Sequence, residues 1–343
     1  MLVKVRQVQG GIEQVPGPAT SLGTRIWTAD EETGRAQARV CVVVLNWNGW
    51  QDTVACIESL RRSTLSAVVV VVDNGSTDGS PVHLRTLLDL SWLELLLLPT
   101  NTGFTGGANT GLRRALTLGA DYVLLLNNDA TVEPQCIERL VAAVQGRMDV
   151  GLAGPGIVWA DDPLHLWSGG MSIAWHRATI LDHRGALAEA FATDRLVQGL
   201  SGCALLVTRE VLERVGLLDE RYFAYYEDLD WCLRARAAGY RALYVGSARV
   251  AHHGSASSNR DAGHSQSAFL NYLAARNLLL FWATHGPRVA RPVTVAWQVV
   301  RVVRAIVLVT AGGLLLRRPG ARIRAWALAR GLIDAARRRF GTP

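Results

Sequence analysis

The sequence predicts an α/β protein built on a Rossmann-like parallel sheet, and three observations carry that expectation. Between residues 40 and 129, short apolar runs alternate with stretches of helical periodicity, an order that calls for right-handed parallel crossovers. The runs Val40–Asn46, Ala67–Asp73, Trp92–Leu98 and Tyr122–Asn127 are almost wholly apolar, as strands covered on both faces must be. Two of them run straight into polar turns, Asp73-Asn74-Gly75-Ser76 and Asn127-Asn128-Asp129. Polar groups thereby reach the carboxyl edge of the sheet, where open α/β sheets bind ligands.

The remaining elements follow in order. Residues 1–39 mix Gly, Pro and charge without a period and read as an N-terminal extension. Trp50–Arg62 carries Val54, Ile57 and Leu60 at helical spacing. Ser80-Pro81 opens a second helix, with Pro where its missing N–H costs nothing, and Gly106–Leu118 is a third. A helix near Glu133-Pro134 follows Asp129. Val150–Trp159 is a further strand, 164–197 reads as short antiparallel pieces, and Cys203–Thr208 is a strand feeding a helix at Arg209–Val215. Glu227–Ala238 is a helix ended by Gly239, Ala242–Val245 is the last strand, and 254–267 is a Ser/Gly-rich mobile loop.

At 343 residues the chain has room for one large α/β domain and an appendage. Its formal net charge of +7 is unevenly spread. Residues 286–343 hold 12 Arg and one acid, Asp334, giving +11; the remainder holds 24 basic and 28 acidic side chains, giving −4. The globular part is thus mildly acidic, and nucleic acid is not an expected partner. Cys41, Cys56, Cys136, Cys203 and Cys232 are scattered, odd in number and free of any C-x-x-C pair. They fit reduced thiols in a cytoplasmic protein better than a disulfide framework or zinc site. The N-terminus lacks the apolar core of a secretory signal.

The tail is of different material. Ala268–Trp282 has a helical pattern, with Tyr272, Arg276 and Asn277 among apolar residues. Val289–Leu316 is strongly apolar, but its uncharged run Ala305–Leu316 is short of the ~20 residues that span a bilayer. Arg288, Arg291, Thr294, Gln298, Arg301 and Arg304 recur every three or four residues and form one polar stripe. Such a helix suits a membrane interface, and the Arg-rich segment 317–339 adds to that reading. Packing of the apolar face on the catalytic domain or on a second subunit is the other arrangement the pattern allows.

Four stretches carry candidate chemistry. Asp73-Asn-Gly-Ser-Thr-Asp78-Gly79, a carboxylate at a strand end followed by a turn into a helix, suits a nucleoside with nearby phosphate, and equally an Asx-type turn. Asn101-Thr-Gly103-Phe-Thr-Gly106-Gly107-Ala-Asn109 opens a helix, but its glycine spacing is not that of a dinucleotide fingerprint. Asp129 is an acceptor-only carboxylate at a strand end, or else a helix cap. Tyr225-Tyr226-Glu227-Asp228-Leu229-Asp230-Trp231 crowds three carboxylates at a helix start, where the macrodipole favours anions, and His252-His253 follows a strand-like segment. For His252 to ligate a metal it needs a carboxylate partner, and Asp129 is the candidate.

Taken in order, these stretches resemble the inverting family 2 glycosyltransferases of GT-A fold, in which a Rossmann-like nucleotide-binding half joins a mixed-sheet acceptor half. The resemblance runs from about Val40 to His253: Asn46-Trp-Asn48, Asp73 to Asp78, Asn101-x-Gly103-Phe, Asn127-Asn128-Asp129, Ser201-Gly202-Cys203-Ala204, Glu227-Asp228 and His252. It implies an N-terminal extension at 1–39, a GT-A domain at 40–253, and a mobile loop with a helical membrane-associating region at 254–343. Asp73 would accept from a uracil- or thymine-type base, with Asn46 and Asn48 in the same pocket and Asn101, Gly103 and Asn109 beside the nucleoside. Asn127 to Asp129 occupies the family's Asp-x-Asp position, so Asn127 and Asn128 would adjoin the nucleotide and Asp129 the divalent metal. The Asn in first place departs from that pattern, although an amide oxygen can still accept. Asp228 matches the catalytic base, with Glu227 its rival, and His252 a metal ligand suited to Mn²⁺ or Mg²⁺.

The Tyr272-x-x-x-Arg276-Asn277 helix looks like that of rhamnosyltransferase-like bacterial members. That resemblance implies a dTDP-linked deoxysugar donor, with UDP-sugars next, and a glycan or polyprenyl-linked acceptor in cell-envelope polysaccharide assembly. It also implies a place on the inner face of the plasma membrane. Two other readings are a sugar nucleotidyltransferase and a non-catalytic membrane-tethered binding protein. The first calls for a basic Gly-rich loop after the first strand, where this chain has Asn46-Trp-Asn-Gly49-Trp. The second gives no reason for Asp129, Glu227, Asp228 and His252 to occur together.

Overall fold

The structure, a computed structural model, describes residues 13–15, 38–254, 264–315 and 320–343. Most of the expected N-terminal extension and the 255–263 part of the expected loop lie outside the described residues; 264–267 begin a helix. In chain order the strands are β1 (Glu13–Val15), β2 (Val40–Asn46), β3 (Val68–Asn74), β4 (Leu93–Leu98), β5 (Tyr122–Asn127), β6 (Ala130–Val132), β7 (Val150–Trp159), β8 (Leu166–Ser168), β9 (Met171–Ala174), β10 (Thr179–Asp182), β11 (Arg195–Val197), β12 (Ala204–Thr208) and β13 (Arg241–His252). The helices are α1 (Trp50–Arg61), α2 (Ser80–Arg85), α3 (Gly103–Thr117), α4 (Cys136–Val144), α5 (Arg209–Arg214), α6 (Glu227–Ala237), α7 (His264–His285), α8 (Arg291–Leu315) and α9 (Ala321–Ala336).

The main sheet runs β1-β4-β3-β2-β5-β12-β7-β13-β11. Its β4-β3-β2-β5 half is parallel, and strand order reverses between β2 and β5, so the crevice at their carboxyl ends is the topological switch point. Beyond β5 the sheet is mixed: β12 is antiparallel to both neighbours, and β13 is parallel to β7. Every residue of β2 and β3 is buried, and alternate side chains of β2 enter opposite cores. Val40, Val42 and Val44 join α1 and α4 on one side; Cys41, Val43 and Leu45 join α3 and α6 on the other. The α3 glycines serve that packing: a Cβ on Gly107 would lie 2.4 Å from Leu45 Cδ1, and one on Gly111 2.3 Å from Val43 Cγ1.

Two expectations need correction. The segment after Asp129 forms β6 first, and its helix starts only at Cys136. The last strand is the 12-residue β13, not a short Ala242–Val245, and its far end pairs with β6. Periodicity did not signal the full length of β13, because its pairing with β7 breaks register between Val245 and Arg249, where the exposed Ser247 interrupts the apolar run. All five cysteines are free and buried.

The tail is built into the molecule. From α7, Leu280, Phe281 and Trp282 pack with Tyr222, Leu229 and Leu233, so residue 254 marks no boundary in packing. Tyr272 on α7 donates to Asp334 Oδ2 on α9 at 3.1 Å. Only the middle of the polar stripe on α8 faces inward: Thr294 and Gln298 are buried, Gln298 Nε2 and Arg301 Nη1 donate to the Ala178 carbonyl at 2.8 and 3.1 Å, and Arg288, Arg301 and Arg304 are exposed. Its apolar face, with Val293, Trp297, Val300, Val303, Val307 and Leu308, is exposed.

Candidate active site

The nucleotide side of the crevice is organised around Asp73. Ending β3 next to Asn46 of β2, it is buried, and its Oδ1 accepts from Asn46 Nδ2 at 2.6 Å while Oδ2 accepts from Ser76 N at 3.2 Å. A carboxylate has lone pairs to spare for a base N–H, so Asp73 is a fixed acceptor at the crevice wall. Asn46 is spent within the protein: its Nδ2 also reaches Ser76 Oγ at 3.2 Å, and its Oδ1 accepts from Thr53 at 2.8 Å and Asn128 at 3.4 Å. Asn48, in the left-handed region at φ 52°, accepts from Thr77 N at 2.7 Å and pins the turn after Asp73. Asn128 turns away to Gly49 O and Thr53 Oγ1, and so acts as a brace.

Of the second turn, Asn101 and Gly103 are held by Asn74, a buried residue that motif reading passed over. Asn74 donates to Asn101 Oδ1 at 3.1 Å and Gly103 O at 2.9 Å, and accepts from Thr102 N at 3.0 Å. Gly103 sits at φ 80°, and a Cβ there would come within 2.5 Å of Phe223. Asn109 does not join this group: its amide is taken by Leu218 N and O and by Glu220 Oε1. Ser76 lies in a turn, Thr53 in the first turn of α1 and Asn74 at the end of β3, and nothing in their spacing marks them as site residues.

At the other side of the crevice, β6 and β13 pair so that His252 faces Ala130. The ladder brings His252 Nε2 to 3.1 Å from Asp129 Oδ1, with both side chains buried. Neither ring nitrogen of His252 makes a hydrogen bond among the described residues, and Trp167 lies 4.5 Å from the imidazole, fixing its plane. A buried imidazole with idle nitrogens beside a carboxylate fits a divalent-cation ligand pair. No third His, Cys, Asp or Glu completes a metal cluster among the described residues, so further ligands would come from substrate phosphates or water. Asn127, ending β5, has no side-chain hydrogen bond among the described residues.

Asp228 and Glu227 open α6 side by side. Asp228 Oδ2 accepts from Gly202 N at 2.9 Å and Oδ1 from Leu229 N at 2.7 Å. Burial pushes its pKa up, and these two N–H groups pull it back. Glu227 is pushed well above its ordinary value by burial and then by the Asp228 charge, and its Oε2 has no hydrogen-bond partner among the described residues. Asp228 has an N–H donor on each oxygen, which favours its charged form. Gly202 follows Ser201 and precedes β12, and Cys203 O accepts from Asn127 N at 2.8 Å. Asp228 is therefore registered to β5, whose end leads into Asp129. Just before α6, Phe223, Tyr225 and Tyr226 lie at φ 64°, 72° and 76°, a conformation costing a non-glycine residue about 1–2 kcal/mol.

Comparison with known proteins agrees with this geometry. A Mycobacterium tuberculosis protein named N-acetylglucosaminyl-diphospho-decaprenol L-rhamnosyltransferase is 32% identical over 265 residues, 69% of this chain and 84% of that one. A Shigella flexneri protein named dTDP-rhamnosyl transferase RfbF is 26% identical over 204 residues, 57% of this chain and 63% of its own. Among solved structures, the mannosyltransferase PcManGT from Pyrobaculum calidifontis, in complex with GDP-Man and Mn²⁺, superposes with a TM-score of 0.53 at 19% identity, covering 88% of each chain. The mixed sheet with its flanking helices is thus the GT-A fold. Since the Glycosyl transferase family 2 profile also matches residues 41–216, the chain belongs to that family and is a glycosyltransferase.

Proposed function

We propose that the protein transfers a deoxyhexose of the rhamnose type from a dTDP-sugar, with UDP-sugars the second choice, to a hydroxyl of a glycan carried on a polyprenyl diphosphate, with inversion. The observation that carries this reading is the Asp228–Gly202 bond, which sets a carboxylate beside Cys203, the residue that pairs with Asn127 at the end of β5. The two rhamnosyltransferase relatives support the donor class, and the first of them supports the acceptor class.

Asp73 receives the base of the nucleotide, and the braced turns at Ser76 and Asn101 fix its depth in the crevice. Asp129 and His252 would hold a divalent ion, Mn²⁺ or Mg²⁺, which supplies charge neutralisation for the departing diphosphate. Asp228 accepts the proton of the acceptor hydroxyl while that oxygen bonds to the anomeric carbon. The bond from that carbon to the diphosphate oxygen breaks with its electron pair on the leaving group. One displacement inverts the centre, and no nucleophilic side chain is required.

The tail supports a peripheral place on the cytoplasmic membrane face. Arg291–Gly313 is long and apolar enough to cross a bilayer by length and composition, with mean hydropathy 1.7. Gln298 and Arg301 nevertheless tie its first half to Ala178 of the catalytic body, so the exposed Val/Trp/Leu face suits lying on a membrane. Release of nucleotide from a panel of nucleotide-sugars with Mn²⁺ tests the donor reading without knowledge of the acceptor. A preference for GDP-mannose over every dTDP- and UDP-sugar would overturn it.

A further inference from the structure

We propose that Arg276 and Asn277 of α7 are positioning residues for the transfer step: they clamp the backbone carbonyls of Arg221, Tyr222, Ala224 and Tyr225 and so hold the base at the start of α6. The proposal rests on the reading of Asp228 as that base. Both side chains are fully buried. Arg276 Nη2 donates to Tyr222 O at 2.8 Å and Arg221 O at 3.3 Å, and Nη1 to Gly341 O at 2.8 Å. Its Nε donates to Asn277 Oδ1 at 3.0 Å. That bond decides which way the Asn277 amide faces. Its Nδ2 is left pointing at Tyr222 O, Ala224 O and Tyr225 O, at 2.8, 2.7 and 3.0 Å.

The loop has reason to be clamped. Tyr222 O also accepts from Ala224 N at 2.8 Å across Phe223, whose φ is 64°, a tight turn of the strained left-handed kind. Tyr225 and Tyr226 follow in the left-handed region, and Glu227 and Asp228 come next. These conformations point successive carbonyls towards α7, where only donors can meet them in the absence of water. On the opposite side Phe223 O accepts from Thr105 N at 3.1 Å, at the start of α3. A packing role alone would be met by apolar residues, since burying a guanidinium without a carboxylate beside it is costly. The clamp's donors instead match the loop's acceptors one set to the other. Released, the loop would drift towards ordinary backbone conformations and turn the first residues of α6, taking Asp228 away from Gly202.

Asn277→Asp keeps the shape but sets a carboxylate against three carbonyl oxygens, and Arg276→Lys keeps the charge but loses the fork. Both are made in the full chain and assayed by Mn²⁺-dependent hydrolysis of the nucleotide-sugar. Melting temperature should fall with the variant still folded at the assay temperature, and Mn²⁺-dependent affinity for dTDP or UDP should stay within about twofold, while kcat falls ~10–100-fold, the scale of a misplaced catalytic group. The acidic limb of the pH–rate profile should move as well, which a loss of bulk stability would not cause. In the double variant Asp228→Asn/Asn277→Asp, turnover should be no lower than in Asp228→Asn alone. A folded Asn277→Asp with unchanged kcat and pH profile overturns the proposal, as does a double variant slowed by the product of both single effects. Should Asn277→Asp fail to fold, Arg276→Lys carries the same readings. If Asp228→Asn itself turns over normally while the clamp variants are slow, the base assignment is at fault, and the same cycle run with Glu227→Gln decides whether the clamp serves Glu227 or falls with it.

Discussion

Asp228 Oδ2 lies 2.9 Å from the backbone nitrogen of Gly202, and the next residue, Cys203, accepts from Asn127 N at 2.8 Å. Two hydrogen bonds thus link Asp228 to the strand end that presents Asp129. The separation of these two carboxylates is set by sheet register, the least deformable dimension of the fold.

Asp228→Asn keeps the size and one of the two N–H contacts, since an amide has a single acceptor oxygen, but removes the proton acceptor, so turnover should fall ~10²–10⁴-fold while nucleotide affinity holds. Glu227→Gln is the companion. Glu227 has a raised pKa in the fold, so the native state binds the extra proton, and stability is lost as pH rises from the unfolded value towards the folded one. Glu227→Gln should therefore raise Tm relative to wild type at alkaline pH and have little effect near pH 4. Melting curves at both pH values check this. A dead Glu227→Gln beside a normal Asp228→Asn would move the base by one residue.

The activity of wild type should drop on acidification at a pH above that of an ordinary aspartate, because Asp228 must be charged to act and its pKa is raised, chiefly by burial. The charge of Asp182 raises it further. Asp182→Asn removes that charge, so the acidic limb should shift to lower pH, more so at low ionic strength because Asp182 is exposed. Hydrolysis rates against pH at two salt concentrations measure it, and a limb that stays in place at both removes Asp182 from the electrostatics of the base.

Asp129→Ala and His252→Ala should each weaken nucleotide binding only when Mn²⁺ is present, and Asp129→Ala should abolish turnover. Calorimetric titration with and without Mn²⁺ separates this from misfolding. Equal weakening in metal-free buffer would point to a structural role for the pair.

Asp73→Ala removes a charged acceptor and strands the Asn46 amide. A hydrogen bond to a charged group is worth about 1.5–3 kcal/mol, so dTDP or UDP affinity should fall ~10–100-fold with or without metal. Ser76→Ala, which loosens the turn without touching the charge, should cost less.

On α8, Trp297→Glu and Val307→Glu place charge on the exposed face and should release the protein from anionic liposomes in sedimentation, while donor hydrolysis in solution is kept. Each removes an apolar side chain whose burial is worth about 1.5–3 kcal/mol. Unchanged sedimentation would assign that face to a protein partner.

The parallel half of the fold was legible because Val40–Asn46 and Val68–Asn74 are buried on both faces, which leaves an unbroken apolar signature. β13 was read short because its alternation is broken by the register shift between Val245 and Arg249, where Ser247 is exposed. Of the candidate site, Asp73, Asp129, Asp228 and His252 stood out as ionisable residues at strand and helix ends. Asn46, Asn109 and Asn128 bond within the protein, which sequence could not show because an amide looks the same whether it meets a ligand or another loop. The polar residues of α8 were visible as a stripe, but a helical period carries no sign, and only Gln298 against Ala178 shows which face turns inside.

The bond from Thr105 N to Phe223 O has a consequence for redesign. Gly103 packs directly on Phe223, so the loop that flanks the nucleoside and the loop that carries the base are cut to each other. Grafting residues 101–105 from a relative with a different donor would import a surface fitted to some other Phe223. Such chimaeras should regain turnover only when 220–226 travels with the graft. On the proposed roles, donor preference and proton transfer would then be inherited as one cassette.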